Sequence, residues 1–403
     1  MNIRTLLFTC TPILLGIYLF YYMPVFLNEN NFMYFIEPAP RFSPIGIDLR
    51  WLHSIIQEWH QNGFFYKPGL TLHFPPLLLL LFSWINIFDF CQLYKIYVSL
   101  MFLLYFAFGF GFVLFLQKKY NYSNESVILS LAFLFLGAFS YGLQFEIERG
   151  QWNLIAFFFV VIGIMLVKEN SAKKYKKYIG YGALIIASQI KIWPLIYIMP
   201  FIYCESTFQR KIKYLLSFLI LNTALLYIFG AQGANEFIHN ISRLSGEKNL
   251  GPAQTSLAAF LWCIKNEHFY FEEYFSIFAI ISIAIIFFHV LFTTFFGRKN
   301  NLETLIFLCT LLGLLIPAHG NDYKLSLLPL NLVFLIPFFC SRIGKSISSD
   351  FLISLIIFFV FITFFSFSVR PKNVLLQNTV FSLLLSGMSV CFLYIKDRRQ
   401  IYI

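Results

Sequence analysis

The chain has 403 residues, 59% of them hydrophobic and only 12% charged, with 53 phenylalanines and a formal net charge of +11. Soluble domains carry about 25% charged residues, so this composition excludes a soluble globular protein and points to an all-α, polytopic membrane helical bundle. The positive balance would suit a nucleic-acid binder. Here, however, the basic residues fall in short tracts between apolar stretches, which is the positive-inside pattern, and no nucleic-acid partner is expected.

Cysteines 10, 91, 204, 263, 309, 340 and 391 stand singly, with no paired spacing, so neither a zinc site nor a disulfide framework is indicated. Residues 5–27 follow Arg4 and show no A-x-A step, so they read as a retained first span. Further apolar stretches are 96–117, 126–142, 152–168, 178–190, 194–204, 212–230, 273–296, 302–317, 324–340, 351–369 and 374–395. The basic tracts are Lys118-Lys119, Lys173 to Lys177, Arg210 to Lys213, Arg298-Lys299, Arg342 with Lys345, and Lys396 to Arg399. Placing these in the cytoplasm gives about twelve transmembrane helices in one membrane domain over 1–403, with both termini inside.

On the outer side this leaves 28–73, 143–151, 231–272 and 318–323, the first and third being long loops of the kind that carry function. Within the first, Ile47, Trp51, Ile55 and Trp59 recur every four residues and predict an amphipathic helix lying on the membrane. Asp48 stands at its start, where the helix dipole favours an acid. Residues 74–88, opened by Pro75-Pro76, read as a re-entrant or interfacial helix, because a full crossing there would reverse every span before Lys118. The alternative is that Lys118-Lys119 departs from the charge rule.

The next outer turn holds Gln144, Glu146, Glu148, Arg149, Gly150, Gln151 and Asn153. Glu148 and Arg149 read either as an ion-paired turn or, with the amides of Gln151 and Asn153, as contacts for sugar hydroxyls. Residues 178–204 carry a single charge, Lys191, just before Trp193-Pro194. A lysine at membrane depth costs several kcal/mol unless something anionic or wet receives it, so it marks a functional site. Both flanks of the stretch are basic, so it enters and leaves on one side, with Lys191 at the apex of two arms of about 18 Å each. Such an apex belongs in protein or in a watery recess. The late outer turn, Pro317 to Lys324, brings His319, Asp322, Tyr323 and Lys324 together. His319 and Asp322 suit proton transfer or phosphate binding, and they lack the spacing of a metal site.

One topology therefore puts Asp48, Glu148, Lys191, His319 and Asp322 on the same face. A carboxylate base beside cations that hold a phosphate is the chemistry of glycosyl transfer from a lipid-phosphate sugar.

These pieces resemble the integral-membrane glycosyltransferases of the GT-C superfamily. The resemblance is to glycosyltransferase family 87 in particular, the polyprenol-phosphate-mannose-dependent alpha-mannosyltransferases. It is carried, in order, by Asp48, Phe74-Pro75-Pro76, Arg149-Gly150-Gln151-Trp152-Asn153, Gly182 to Pro194 with its Lys-x-x-Pro, Gln254 to Leu257, and Pro317-Ala318-His319 with Asp322-Tyr323. The resemblance implies that Asp48 is the catalytic base, that Lys191, His319 and Arg149 lie near the donor phosphate, and that Gln151 and Asn153 line the cavity. Glu148, Asp322, Tyr323 and Lys324 complete the expected cavity contacts.

The expected activity is inverting transfer of a mannose-like hexose from a polyprenyl-phosphate donor to a lipid-linked or glycan acceptor. The expected setting is the outer face of a bacterial plasma membrane, with no metal and no cofactor beyond the sugar donor. The rival readings are a flippase of lipid-linked sugars, which predicts midplane polar residues and inverted repeats, and a polysaccharide polymerase or ligase, which predicts arginine-rich outer loops.

Overall fold

The computed structural model describes residues 45–62, 74–120, 124–138, 140–168, 174–246, 256–258, 260–261, 272–297, 302–316, 322–340, 353, 356–357 and 374–399. Every regular element among them is helical. The expected first span at 5–27, His319 and nearly all of the stretch 351–369 lie outside the described residues.

Helix α1 (Ile47–Asn62) starts directly after Gly46, whose φ of 69° is open to glycine and strained for other residues. Its buried face is Leu49, Leu52, His53 and Ile56, spaced i, i+3, i+4 and i+7. Of the Ile47–Trp51–Ile55–Trp59 stripe expected to lie on the membrane, Trp51 is 42% exposed, while Ile55 is buried and Trp59 packs against the core. A four-residue repeat drifts around a 3.6-residue helix, so the stripe runs from the exposed side at Trp51 onto the packed side at Ile55. Pro76 then opens the six-residue α2 (Pro76–Leu81), followed by a 3-10 turn, Ser83–Ile87. At about 9 Å, α2 is too short to cross a bilayer, in keeping with the re-entrant or interfacial reading.

The Asp89 side chain caps α3 (Phe90–Leu103), which continues through a π turn (Leu104–Phe108) into α4 (Gly109–Tyr120). Helix α5 (Asn124–Ala138) leads to α6 (Tyr141–Arg149), capped by Ser140 and ended at Gly150 with φ 73°. There the chain turns by 114° into α7 (Asn153–Lys168).

Helix α8 (Lys174–Ile190) stops one residue before Lys191, and a 3-10 turn (Trp193–Tyr197) leads into α9 (Ile198–Tyr203). The two arms fold back on each other. Tyr181 meets Phe201 with ring centroids 5.4 Å apart, and the Lys177 ammonium lies 3.1 Å from both oxygens of Glu205. Each pair straddles Lys191 at equal sequence distance, as a hairpin with its apex at Lys191 requires. Glycines let α7 close against both arms: a Cβ on Gly163 would stand 2.6 Å from Phe201 Cζ and 2.7 Å from the Gly180 carbonyl oxygen.

Thr207 caps α10 (Phe208–Leu226), which bends by 104° into the strongly amphipathic α11 (Gly230–Gly246). The chain continues as α12 (Glu272–Phe296), α13 (Leu302–Leu315), a 3-10 turn (Asp322–Ser326), α14 (Leu327–Cys340) and α15 (Val374–Arg399). Among the described residues two helices, Phe90–Leu114 and Glu273–Phe296, are long and apolar enough to cross a membrane, or up to 4 if each bent pair is one span. Other predicted stretches, such as Leu302–Leu315, form shorter apolar helices.

The bundle has two chemically different ends. At one, Lys168 pairs with Glu303 at 3.0 Å and Lys177 with Glu205. Nearby, the Lys211 ammonium donates to the Thr294 and Phe295 carbonyls at 2.5 and 3.2 Å. That caps the last turn of α12, where a cation is favoured by the dipole. At the other end lie the start of α7 and the Lys191 apex. Between them a buried polar chain pins three segments: Tyr197 hydroxyl to Thr310 hydroxyl at 2.5 Å, and Thr310 to Asn331 Oδ1 at 2.6 Å.

Candidate functional site

The site is built on the α6–α7 corner. Gly150 N donates to Ile147 O and Gln151 N to Glu146 O, at 3.1 and 3.0 Å, the paired closing bonds of a Schellman turn. The start of α1 is seated on this turn. Gly46 N donates to Glu148 O at 2.6 Å, and a Cβ on Gly150 would stand 2.5 Å from Leu49 Cβ. Only glycine combines the left-handed backbone with that close approach. Tyr97 braces the corner from α3, its hydroxyl shared between the Gln151 carbonyl at 2.5 Å and the Glu146 carbonyl at 3.3 Å.

This seating delivers Asp48, buried in the first turn of α1, to three donors. Arg149 forks onto it, Nε to Oδ2 at 2.8 Å and Nη2 to Oδ1 at 2.9 Å, and Gln151 Nε2 donates to Oδ2 at 2.5 Å. An ionised carboxylate has about four acceptor positions, so three bonds leave one, on Oδ1. Gln151 uses its other amide atom on the apex: Lys191 Nζ donates to Gln151 Oε1 at 2.5 Å. The ammonium also stands 5.5 Å from the centre of the buried Phe74 ring. Asp48 and Lys191, 143 positions apart by their numbers, are thus separated by one amide side chain.

Beneath them Asn153 Oδ1 accepts from Trp193 Nε1 at 2.8 Å, fixing the residue two past Lys191 to the first turn of α7. Asn153 Nδ2 and Glu148 Oε2 are buried without a hydrogen-bond partner among the described residues. Lys191 lies within electrostatic reach of Asp48, Glu146, Arg149 and the buried Lys324.

Of the residues singled out from sequence, the structure brings together Asp48, Glu148, Arg149, Gln151, Asn153 and Lys191, with Lys324 within electrostatic reach of Lys191. Asp322 and Tyr323 lie on the same 3-10 turn as Lys324, and His319 is outside the described residues. Among those residues no group of three His, Cys, Asp or Glu could hold a metal ion.

Two participants were given no role by sequence reasoning, although Glu146 was noted among the polar residues of its turn. Glu146 is fully buried, its Oε1 accepting from Leu154 N at 2.9 Å and its Oε2 from the Ser326 hydroxyl. The available signal was the stripe Leu143, Glu146, Ile147 and Gly150, which places Glu146 on the buried face of α6. Ser326, inside an apolar run, carried no such signal.

The family profile of glycosyltransferase family 87 matches residues 72–317. That stretch takes in the α6–α7 corner and Lys191, and leaves Asp48, His319, Asp322 and Lys324 outside it. Neither the curated proteins nor the solved structures contain a match to this chain.

Proposed function

The chain belongs to glycosyltransferase family 87, and from that premise we propose inverting transfer of a mannose-like hexose from a polyprenyl-phosphate donor to a lipid-linked or glycan acceptor. The observation that carries this reading is the Asp48–Gln151–Lys191 chain of 2.5 Å bonds, which puts a carboxylate base and a half-buried cation at opposite ends of one amide. Asp48 takes the proton of the acceptor hydroxyl at its remaining Oδ1 position. The hydroxyl oxygen bonds to the anomeric carbon as the bond from that carbon to the donor phosphate breaks. The lipid phosphate leaves with the electron pair, and Lys191, with Lys324 within electrostatic reach of it, stabilises the developing charge. Arg149 orients Asp48, Glu148 and Asn153 offer an acceptor and a donor to sugar hydroxyls, and His319, Asp322 and Tyr323 are assigned to the donor side by the family resemblance alone. No metal or other cofactor takes part in this scheme.

The far end of the bundle, with Lys168, Lys177 and Lys211, supports the outward placement of the site. By the positive-inside rule that end faces the cytoplasm, so the Lys191 apex opens away from it in a multi-pass bacterial plasma-membrane protein. Purified protein in lipid, supplied with labelled polyprenyl-phosphate mannose and a lipid extract as acceptor, should form a glycosylated product, and Asp48→Asn should abolish it. Wild-type transfer by that variant would remove Asp48 from the mechanism. Sugar movement across vesicles with no product would favour the flippase reading.

A further inference from the structure

We infer that Glu146 is a positioning residue for glycosyl transfer, holding the Asp48–Gln151–Lys191 chain and the Lys324 turn in one fixed register. The inference rests on the reading under Proposed function. Glu146 is fully buried, and each carboxylate oxygen is engaged by a different segment: Oε1 by Leu154 N in the first turn of α7, Oε2 by the Ser326 hydroxyl at the end of the 3-10 turn. Its backbone carbonyl takes Gln151 N at 3.0 Å and shares the Tyr97 hydroxyl. Four elements therefore meet at one residue.

What they carry is the site. Gln151, which links Asp48 to Lys191, begins where the Glu146 carbonyl holds its amide. Lys324 stands two residues before Ser326. Helix α6 and that turn approach with no room for slack, since a Cβ on Gly142 would lie 2.6 Å from Ser326 N. With no exposed surface and each oxygen already bonded to the protein, Glu146 is shut off from a substrate hydroxyl. It acts through Gln151 and Lys324, and it is not itself a catalytic residue. Loss of its side chain frees the corner and the turn to shift independently, and a misplacement of about 1 Å costs on the order of 100-fold in rate.

The test uses the full chain in lipid nanodiscs with labelled polyprenyl-phosphate mannose, comparing Glu146→Ala, Ser326→Ala and Glu146→Gln with wild type and Asp48→Asn. Glu146→Ala should lower kcat by about 10- to 100-fold with donor KM within about threefold. It should also raise backbone hydrogen exchange at Gln151 and Leu154. Ser326→Ala should shift both readouts in the same direction by less, and it keeps the test alive if Glu146→Ala does not fold. Glutamine retains an acceptor for Leu154 N and a donor to the Ser326 hydroxyl, so Glu146→Gln should restore exchange and most of the rate.

Wild-type kcat and exchange in both alanine variants, with Asp48→Asn inactive, would overturn this inference alone. Glu146→Gln as inactive as Asp48→Asn would place Glu146 in the chemistry and overturn its positioning role. Full activity of Asp48→Asn would bring down the reading beneath. The exchange measurement still decides the inference when turnover is too slow to follow.

Discussion

Gln151→Leu tests the link between the two halves of the proposed chemistry. Leucine fills a similar volume and leaves the Arg149 fork on Asp48 in place, but it removes one of the three donors to Asp48. It also removes the only hydrogen-bond acceptor that Lys191 Nζ has among the described residues. Each lost bond involves a charged group, for which about 1.5–3 kcal/mol is typical. The two share one side chain and do not add, and Asp48 keeps two of its bonds, so the combined effect should be about 2–4 kcal/mol. If that interaction operates in the transition state, turnover falls by roughly 30- to 1,000-fold. Single-turnover transfer from labelled polyprenyl-phosphate mannose in nanodiscs measures it directly. A Gln151→Leu enzyme within twofold of wild type, beside an inactive Asp48→Asn, would refute the view that Lys191 and Asp48 work as a joined pair.

Other perturbations test the frame that presents the site. Lys177→Ala leaves the Glu205 carboxylate, whose side chain is 1% exposed, without its ammonium. Because Lys177 itself is 25% exposed, solvent softens the penalty, and a loss of about 1–3 kcal/mol should appear as a lower unfolding temperature in detergent. An unchanged unfolding temperature would show that the hairpin ends are not held by this pair. Glycine substitutions should split in sign. Gly163→Ala should destabilise by about 1–3 kcal/mol, because the Gly180 carbonyl that its Cβ would strike is backbone and cannot step aside. Gly182→Ala, with nothing within 4 Å in mid-helix, should stabilise by about 0.5–1 kcal/mol. Equal effects at the two positions would contradict the close contact between α7 and the hairpin.

Much of the frame was legible in one dimension because bilayer physics writes it there. Apolar runs bounded by charge located α7 at 153–168 against an expected 152–168, and α13 at 302–315 against 302–317. The break at Lys191 could be read from a lone lysine and a following proline, since both are costly inside an unbroken span. Basic tracts on both flanks anticipated the hairpin that Tyr181–Phe201 and Lys177–Glu205 close. The face of α1 could not be read that way. Trp51 is as apolar as Leu49, Leu52, Ile55 and Ile56, and only the neighbouring elements leave it exposed while they bury the others.

The site follows the same division. Charge and polarity flagged Asp48, Arg149, Gln151 and Lys191 individually, because ionisable and amide groups in an apolar chain stand out residue by residue. Which of them bond to which was decided by tertiary structure: Arg149 reaches Asp48 across 101 positions, and Ser326 reaches Glu146 across 180. Hydrogen bonds act over about 3 Å of space irrespective of distance along the chain. The sequence by itself therefore determined the membrane class, most of the apolar helices and the roster of polar groups, while α6 and α11 stand where a turn and a long loop were expected. Two left-handed glycines, Gly46 and Gly150, then seat α1 on the α6–α7 corner and bring Asp48 within bonding distance of Arg149 and Gln151. That long-range pairing is set by packing, and no local pattern encodes it.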